Sequence, residues 1–281
     1  MTQATNIATK TSLYNGSITL NFSSSARNRY TIEETRESPV GVTTVLQMLN
    51  KPALMTWPLN EALAYIKSKC LVAPGVYGLN DEQLDEASKA YLAKGDKGKD
   101  TGTNVHAMIE AFFKKGTAIG ETPEAERAFD GFMTWYEKFH PTPLAVEQVL
   151  YSKEHNYAGT MDCLLRFGDE IVVCDVKTNN ASRTAPLGVY SEHFLQLGAY
   201  NLAYREEKAT RLHKGLQHNY ADEYATDLMI IRVGKDGKVN TLRASQLGLS
   251  VRDCEINFLE VLRLYKLLTP LNKRITEETY V

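Results

Sequence analysis

The stretch GTMDCLLRFGDEIVVCDVK, residues 159–177, decides how the rest of the chain is read. Two apolar runs, Gly159 to Phe167 and Ile171 to Lys177, flank Gly168-Asp169, a pair suited to a two-residue hairpin turn because glycine reaches positive φ at little steric cost. With that turn Phe167 faces Glu170. The register then runs back through Leu165 with Val172 and Cys163 with Cys174 to Asp162 with Asp175. Side chains alternate along a strand, so Asp162, Asp175 and Lys177 share one face, with Thr160 opposite Lys177. Carboxylates placed across neighbouring strands, with Cβ atoms about 5 Å apart, repel unless something positive sits between them. Lys177 is one candidate, and a hard divalent cation that bridges both carboxylates is a better one. Leu164, Ile171 and Val173 lie on the same face towards the turn, so the polar cluster occupies one end of an otherwise buried surface.

A surface salt bridge at strand ends has the same spacing. What favours a site is the company these residues keep: both strands are apolar on both faces, which marks them as central, and charges there are seldom buried without a partner.

Outward from the hairpin, Ala145 to Ser152 reads as a preceding strand after the breaks at Pro141 and Pro143, and Pro123 to Phe139 as a helix. Gly102 to Phe113 is also helical, with Thr103 as a possible cap and Val105, Met108, Ile109, Phe112 and Phe113 on its apolar side. Before it, Lys94 to Asp100 reads as a charged, Gly-rich connector. Residues 1–30 look loosely ordered apart from a short strand at Ser17 to Phe22, and helical spacing begins at Val42. After the hairpin come a helix at Glu192 to Tyr204, a hairpin of Asp227 to Val233 with Val239 to Leu242, and a closing helix at Val251 to Leu267.

Composition sets the frame. A hydrophobic share of 43% over 281 residues supports a sizeable core, read as one α/β unit with an elaborated N-terminal part. No apolar run approaches the roughly 20 residues needed to cross a bilayer. The opening MTQATNIATK has no apolar signal core, so a cytoplasmic chain without membrane partners is expected. The formal charge of −2 argues only weakly against a nucleic-acid partner, since positive charge can be confined to a groove and supplemented by metal ions. Cys70, Cys163, Cys174 and Cys254 form no CxxC pair, so free buried thiols are expected rather than a zinc ribbon.

Four segments together resemble the PD-(D/E)XK nuclease superfamily, and specifically its RecB-like branch: Gly102-Thr-Asn-Val-His106 with Glu110 downstream, Ala158-Gly-Thr-Met-Asp162, Cys174-Asp-Val-Lys-Thr178 and Gln196-Leu-Gly-Ala-Tyr200. Val42-Thr-Thr-Val-Leu and Lys51-Pro-Ala-Leu-Met-Thr-Trp57 are similar to the first helices of phage-encoded and mitochondrial exonucleases of this branch. The resemblance implies a restriction-endonuclease-like core at 101–281, a central mixed sheet flanked by helices, with a partly helical N-terminal extension at 1–100. It implies His106, Asp162 and Asp175 as ligands of one or two Mg²⁺ or Mn²⁺ ions, joined by the Val176 carbonyl, and Lys177 as the catalytic lysine. Gln196 and Tyr200, one helical turn apart, would orient DNA or the catalytic groups. Glu110 and Glu147 are candidates for the surrounding shell. Some relatives hold a four-cysteine iron–sulfur cluster, but here only Cys70 precedes the core and only Cys254 follows it, so none is expected.

The activity implied is hydrolysis of DNA from its ends, on single strands or resected duplex, alongside recombination, repair or replication proteins of a phage or its bacterial host. The rivals are a structure-specific or nicking endonuclease and a binding module that has lost catalysis. Trp57, Tyr65 and Tyr91 are available for base stacking or for core packing. His193, His213 and His218 read as surface or loop histidines.

Overall fold

A computed structural model describes residues 8–23, 29–49, 56–179, 189–212 and 224–279. The N-terminal part holds a three-stranded sheet of β1 (Ala8–Leu13), β2 (Ile18–Ser23) and β3 (Tyr30–Ile32), then β4 (Val40–Gly41) and the short α1 (Val42–Leu46). Next come α2 (Trp57–Lys69), a small hairpin of β5 (Leu71–Ala73) and β6 (Val76–Tyr77), and the 35-residue α3 (Asp81–Lys115). The remainder runs α4 (Pro123–Phe139), β7 (Thr142–Ser152), β8 (Tyr157–Phe167), β9 (Glu170–Asn179), α5 (Ser191–Leu212), β10 (Asp227–Gly234), β11 (Val239–Arg243) and α6 (Val251–Thr279).

The hairpin at the centre has the register its turn demands. Gly168 adopts φ +59°, and five pairs run from Phe167 with Glu170 to Cys163 with Cys174. There the ladder stops, one pair short of Asp162 with Asp175, and Thr160 is paired with Val149 of β7 rather than with Lys177. β9 leaves β8 at this level, and β4 pairs β8 further back, at Tyr157 and Ala158. The carboxylate of Asp162 takes the place of the missing ladder carbonyl by accepting the Val176 N–H at 2.8 Å. The aspartates therefore stand where two central strands part, a geometry that hairpin periodicity does not contain.

Around this seam the six-stranded sheet runs β11-β10-β9-β8-β4, with β7 also antiparallel to β8 and β10 parallel to β9. α1, α5 and α6 cover one face through Leu164, Val173, Leu197 and Phe258, all nearly inaccessible. α3 and α4 cover the other through Val105, Phe132, Leu165 and Val172. Residues with 0% exposure on both faces of β8 and β9 bear out their reading as central strands. The four cysteines are free and buried.

Two expectations fail in the N-terminal part. Residues 8–23 form an ordered antiparallel hairpin, which buries Leu13, Tyr14 and Leu20 against Tyr151 and Ala158. Ile18, Leu20 and Phe22 alternate with Thr19 and Asn21, which made β2 legible, whereas β1 has Thr9, Lys10, Thr11 and Ser12 between Ala8 and Leu13 and no alternation of its own. Lys94 to Asp100 is not a connector but the middle of α3. That helix is fixed at both ends, by an Asn80–Gln83 capping box and by Gly116 at φ +75°, and its continuation outweighs three interior glycines, Gly95, Gly98 and Gly102, costing roughly 1 kcal/mol each. The helix thus runs through residue 100, where the N-terminal extension was expected to end. Residues 51–55 of the Lys51–Trp57 motif, and His213 and His218, lie outside the described residues.

Candidate active site

Five elements, β7, β8, β9, α3 and α5, converge where β8 and β9 separate. β9 supplies Asp175, 1% exposed, and Lys177, whose side chain keeps 28% exposure. The Lys177 ammonium donates to Asp175 Oδ1 at 2.7 Å and lies 2.6 Å from Oδ2. From α5, Gln196 Nε2 donates to Asp175 Oδ1 at 3.1 Å and to the Tyr200 hydroxyl at 2.9 Å. Spacing of four puts both residues on one face of α5, as the sequence requires. Tyr200 in turn lies over Gly159, where a Cβ would come within 2.5 Å of its ring, so β8 can pass beneath it only as glycine.

α3 brings His106 to the same seam from the opposite side of the sheet. His106 Nδ1 lies 3.5 Å from Asp162 Oδ2 and 4.0 Å from Glu147 Oε1. One ligand atom from each of His106, Glu147 and Asp162 lies within 4.8 Å of the others, a grouping with the donor types of a divalent-metal site.

Glu147 enters by a backbone device. It sits in β7 at φ +48°, and the partner register skips the Glu147–Asp162 pair while keeping those on either side. Ala145, Leu150, Met161 and Leu164 accordingly pack in one core layer, although strict alternation would place Ala145 and Leu150 on opposite faces. Both strands break step at this one level, and both breaks carry a carboxylate.

The charges explain one another. Burial pushes the Asp162 and Asp175 carboxyls above their usual range, against the pull of His106 and Lys177. Burial alone would lower the Lys177 ammonium, but Asp175 and Asp162 hold it above the ordinary lysine value. For His106, burial is likewise opposed by Asp162 and Glu147, which carry it from 6.5 up to about 9. The metal-free cluster is thus held together by protonated bases.

Of the ligands implied by resemblance, His106 and Asp162 stand in the cluster, while Asp175 is turned onto Lys177 and Gln196. Glu147 is brought in more directly than an outer-shell role implied. Glu110 is not: it forms an exposed ion pair with Lys114 at 2.6 Å, one turn along α3. Sequence reasoning missed Glu192, a buried carboxylate one turn before Gln196 whose charge acts on Lys177. Its spacing of four from Gln196 was the available signal. Trp57, Tyr65 and Tyr91 are engaged between helices: Trp57 meets Tyr91 edge to face, and Tyr65 donates to Glu86. His193 Nδ1 accepts the Tyr190 N–H at the start of α5.

The residues present fit a divalent cation. His106, Glu147 and Asp162 offer one nitrogen and two carboxylate oxygens within 4.8 Å of one another, the donor set such an ion takes, with the Asp175 carboxylate, ion-paired to Lys177, beside them.

Residues 125–246 match the model of the PD-(D/E)XK nuclease superfamily, so this stretch of the chain is similar to that superfamily. The match takes in Glu147, Asp162, Asp175, Lys177, Gln196 and Tyr200 and leaves His106 and Glu110 outside it. A central mixed sheet flanked by helices is the restriction-endonuclease-like arrangement. No curated protein matches. Among solved structures the chain is similar to the crystal structure of SSO0001, at 11% identity over 72% of each chain with a TM-score of 0.26, too slight a likeness to bear on fold or function. No helix among the described residues is long and apolar enough to cross a membrane.

Proposed function

We propose that the chain is a nuclease of the PD-(D/E)XK superfamily that hydrolyses DNA phosphodiester bonds with divalent metal ions, Mg²⁺ or Mn²⁺, held by His106, Glu147, Asp162 and Asp175. The observation that carries this reading is the seam itself: two carboxylates and an imidazole within ligand distance of one another, with a buried Asp–Lys pair alongside.

A bound divalent cation supplies Lewis acidity there, lowering the pKa of a coordinated water and neutralising phosphate charge. Lys177 is the one cation among these residues whose charge does not depend on metal. Asp175 fixes its ammonium at the seam, where it stabilises negative charge gathering on the scissile phosphate. Gln196, steadied by Tyr200, holds the Asp175 carboxylate in the orientation that serves Lys177. Asp162 spends one oxygen on the Val176 N–H, which locks its position while the strands stay apart. His106 gives up its proton to act as a ligand.

We further propose that cleavage begins at DNA ends, a reading supported by the similarity of Val42 to Leu46 and the segment after it to exonucleases of the RecB-like branch. Purified protein is incubated with Mg²⁺ or Mn²⁺ and with linear and covalently closed DNA side by side. Loss of linear DNA with the circle intact is expected. Cutting of the circle refutes the end-dependent reading, and binding without cleavage, unchanged by Lys177→Ala, refutes the nuclease reading.

A further inference from the structure

Two exposed apolar surfaces that the seam does not use carry opposite charge. Leu262 is the last large side chain of α6 that the core fully covers, and the helix continues to Thr279. Leu264, Leu267, Leu271 and Ile275 recur there at helical spacing and form one stripe, all four exposed, Leu267 at 64%. From Arg263 to Ile275 the charged residues are Arg263, Lys266, Lys273 and Arg274, with no acidic residue among them. A rotation of about 100° per residue sets Arg263 and Arg274 along one edge of the stripe.

The other surface is the arm made by α2, the β5–β6 hairpin and the start of α3. No residue of α2 is fully buried, and Leu71, Val72 and Val76 of the hairpin are exposed. On α3, Asp81, Asp85 and Leu92 fall on a side turned away from the buried Ala87, while the exposed Leu84 lies on the same side as Tyr91, which meets Trp57 of α2. From Trp57 to Leu92 the acidic residues are Glu61, Asp81, Glu82, Asp85 and Glu86 against Lys67, Lys69 and Lys89, the last paired with Asp85 at 2.7 Å, so the arm's excess of negative charge lies on the first turns of α3.

An acidic apolar face is ill suited to a polyanion such as DNA. Pairing α6 with another α6 would set basic edges against each other, which disfavours that choice. Each surface instead complements the other. We propose that the arm of one copy receives the exposed α6 stripe of a second copy, so that the chain associates head to tail through two different surfaces. Such a contact is heterologous, and each copy keeps one free surface until a ring closes. The association does not depend on the chemistry of the seam, so it stands or falls apart from the nuclease reading.

Sedimentation of the full chain across a concentration series tests this. The wild-type mass rises with concentration. Asp81→Lys with Asp85→Lys on the arm, or Arg263→Glu with Arg274→Glu on α6, raises the dissociation constant at least tenfold, since like charges then meet. An equimolar mixture of the two variants associates again, because each presents the charge that the other has lost. Circular dichroism checks helix content, and if either reversal unfolds its helix, Leu267→Ser breaks the same contact without altering charge. A wild type that stays monomeric throughout, variants that associate as well as wild type, or a mixture that remains monomeric overturns the proposal.

Discussion

Removing the Asp175 carboxylate tests whether Lys177 is held at the seam by that one partner. Asp175 is 1% exposed and its carboxylate lies 2.6–2.7 Å from the Lys177 ammonium, so Asp175→Ala strands a cation in a site built around its counter-charge. Breaking a buried pair from one side costs roughly 3–5 kcal/mol. Lys177 keeps 28% exposure and can turn towards water, which places the expected loss near the lower end, about 3 kcal/mol, with Gln196 also losing an acceptor. Lys177→Met leaves the less exposed partner unpaired and should cost about 4 kcal/mol. The double variant removes both charges together, so it should fall short of the sum by about 2 kcal/mol or more. Urea unfolding of the metal-free protein, followed by circular dichroism at neutral pH, measures all three without reference to activity. Strictly additive losses, or a cost below 1 kcal/mol for Asp175→Ala, would show that the pair does not hold Lys177 and would remove the physical basis for its assigned role.

The remaining expectations concern the groups around that pair. His106 titrates at about 9 when folded against 6.5 for the free side chain, so between those values the folded chain binds more protons. Its contribution, roughly 2–3 kcal/mol, is therefore complete below about pH 6.5 and lost as pH rises through 9; urea midpoints of the chelated protein at pH 6, 7.5 and 9 should decline, and His106→Ala should flatten the trend. Glu147→Gln should raise the Mn²⁺ concentration needed for half-maximal cleavage about tenfold or more, whereas Glu110→Gln, at an exposed pair with Lys114, should leave it unchanged. Equal effects would contradict the placement of Glu147. Gly159→Ala forces the Tyr200 ring aside, so kcat should fall about tenfold for a stability loss of about 1–3 kcal/mol, and an unaltered kcat would detach Tyr200 from the seam's geometry.

Much of this architecture can be read from residues alone. Gly168 at the turn fixes the β8–β9 register through five pairs, and uninterrupted apolar runs identify the central strands, because a two-residue period leaves no choice of face once the turn is set. Gln196 and Tyr200 follow for the same reason on a helix. The length of α3 could not be read this way. Interior glycines and charges at Lys94 to Asp100 look like a connector to any local rule, and only the caps at Asn80 and Gly116 reveal one continuous helix.

The limits of periodicity also explain why Asp162 and Glu147 are the informative pair. An alternation rule assumes an unbroken ladder, and it fails where Glu147 takes positive φ and Asp162 replaces a backbone acceptor with its own carboxylate. Breaking step in two adjacent strands leaves backbone groups in want of partners, a cost that a sheet selected for stability alone would avoid. What the break gains is position: the carboxylates of two strands, an imidazole from one side of the sheet and the Gln196–Tyr200 pair from the other all reach the same gap. An unbroken β8–β9 ladder would seal that gap with main-chain hydrogen bonds, so the seam and the site have a single origin.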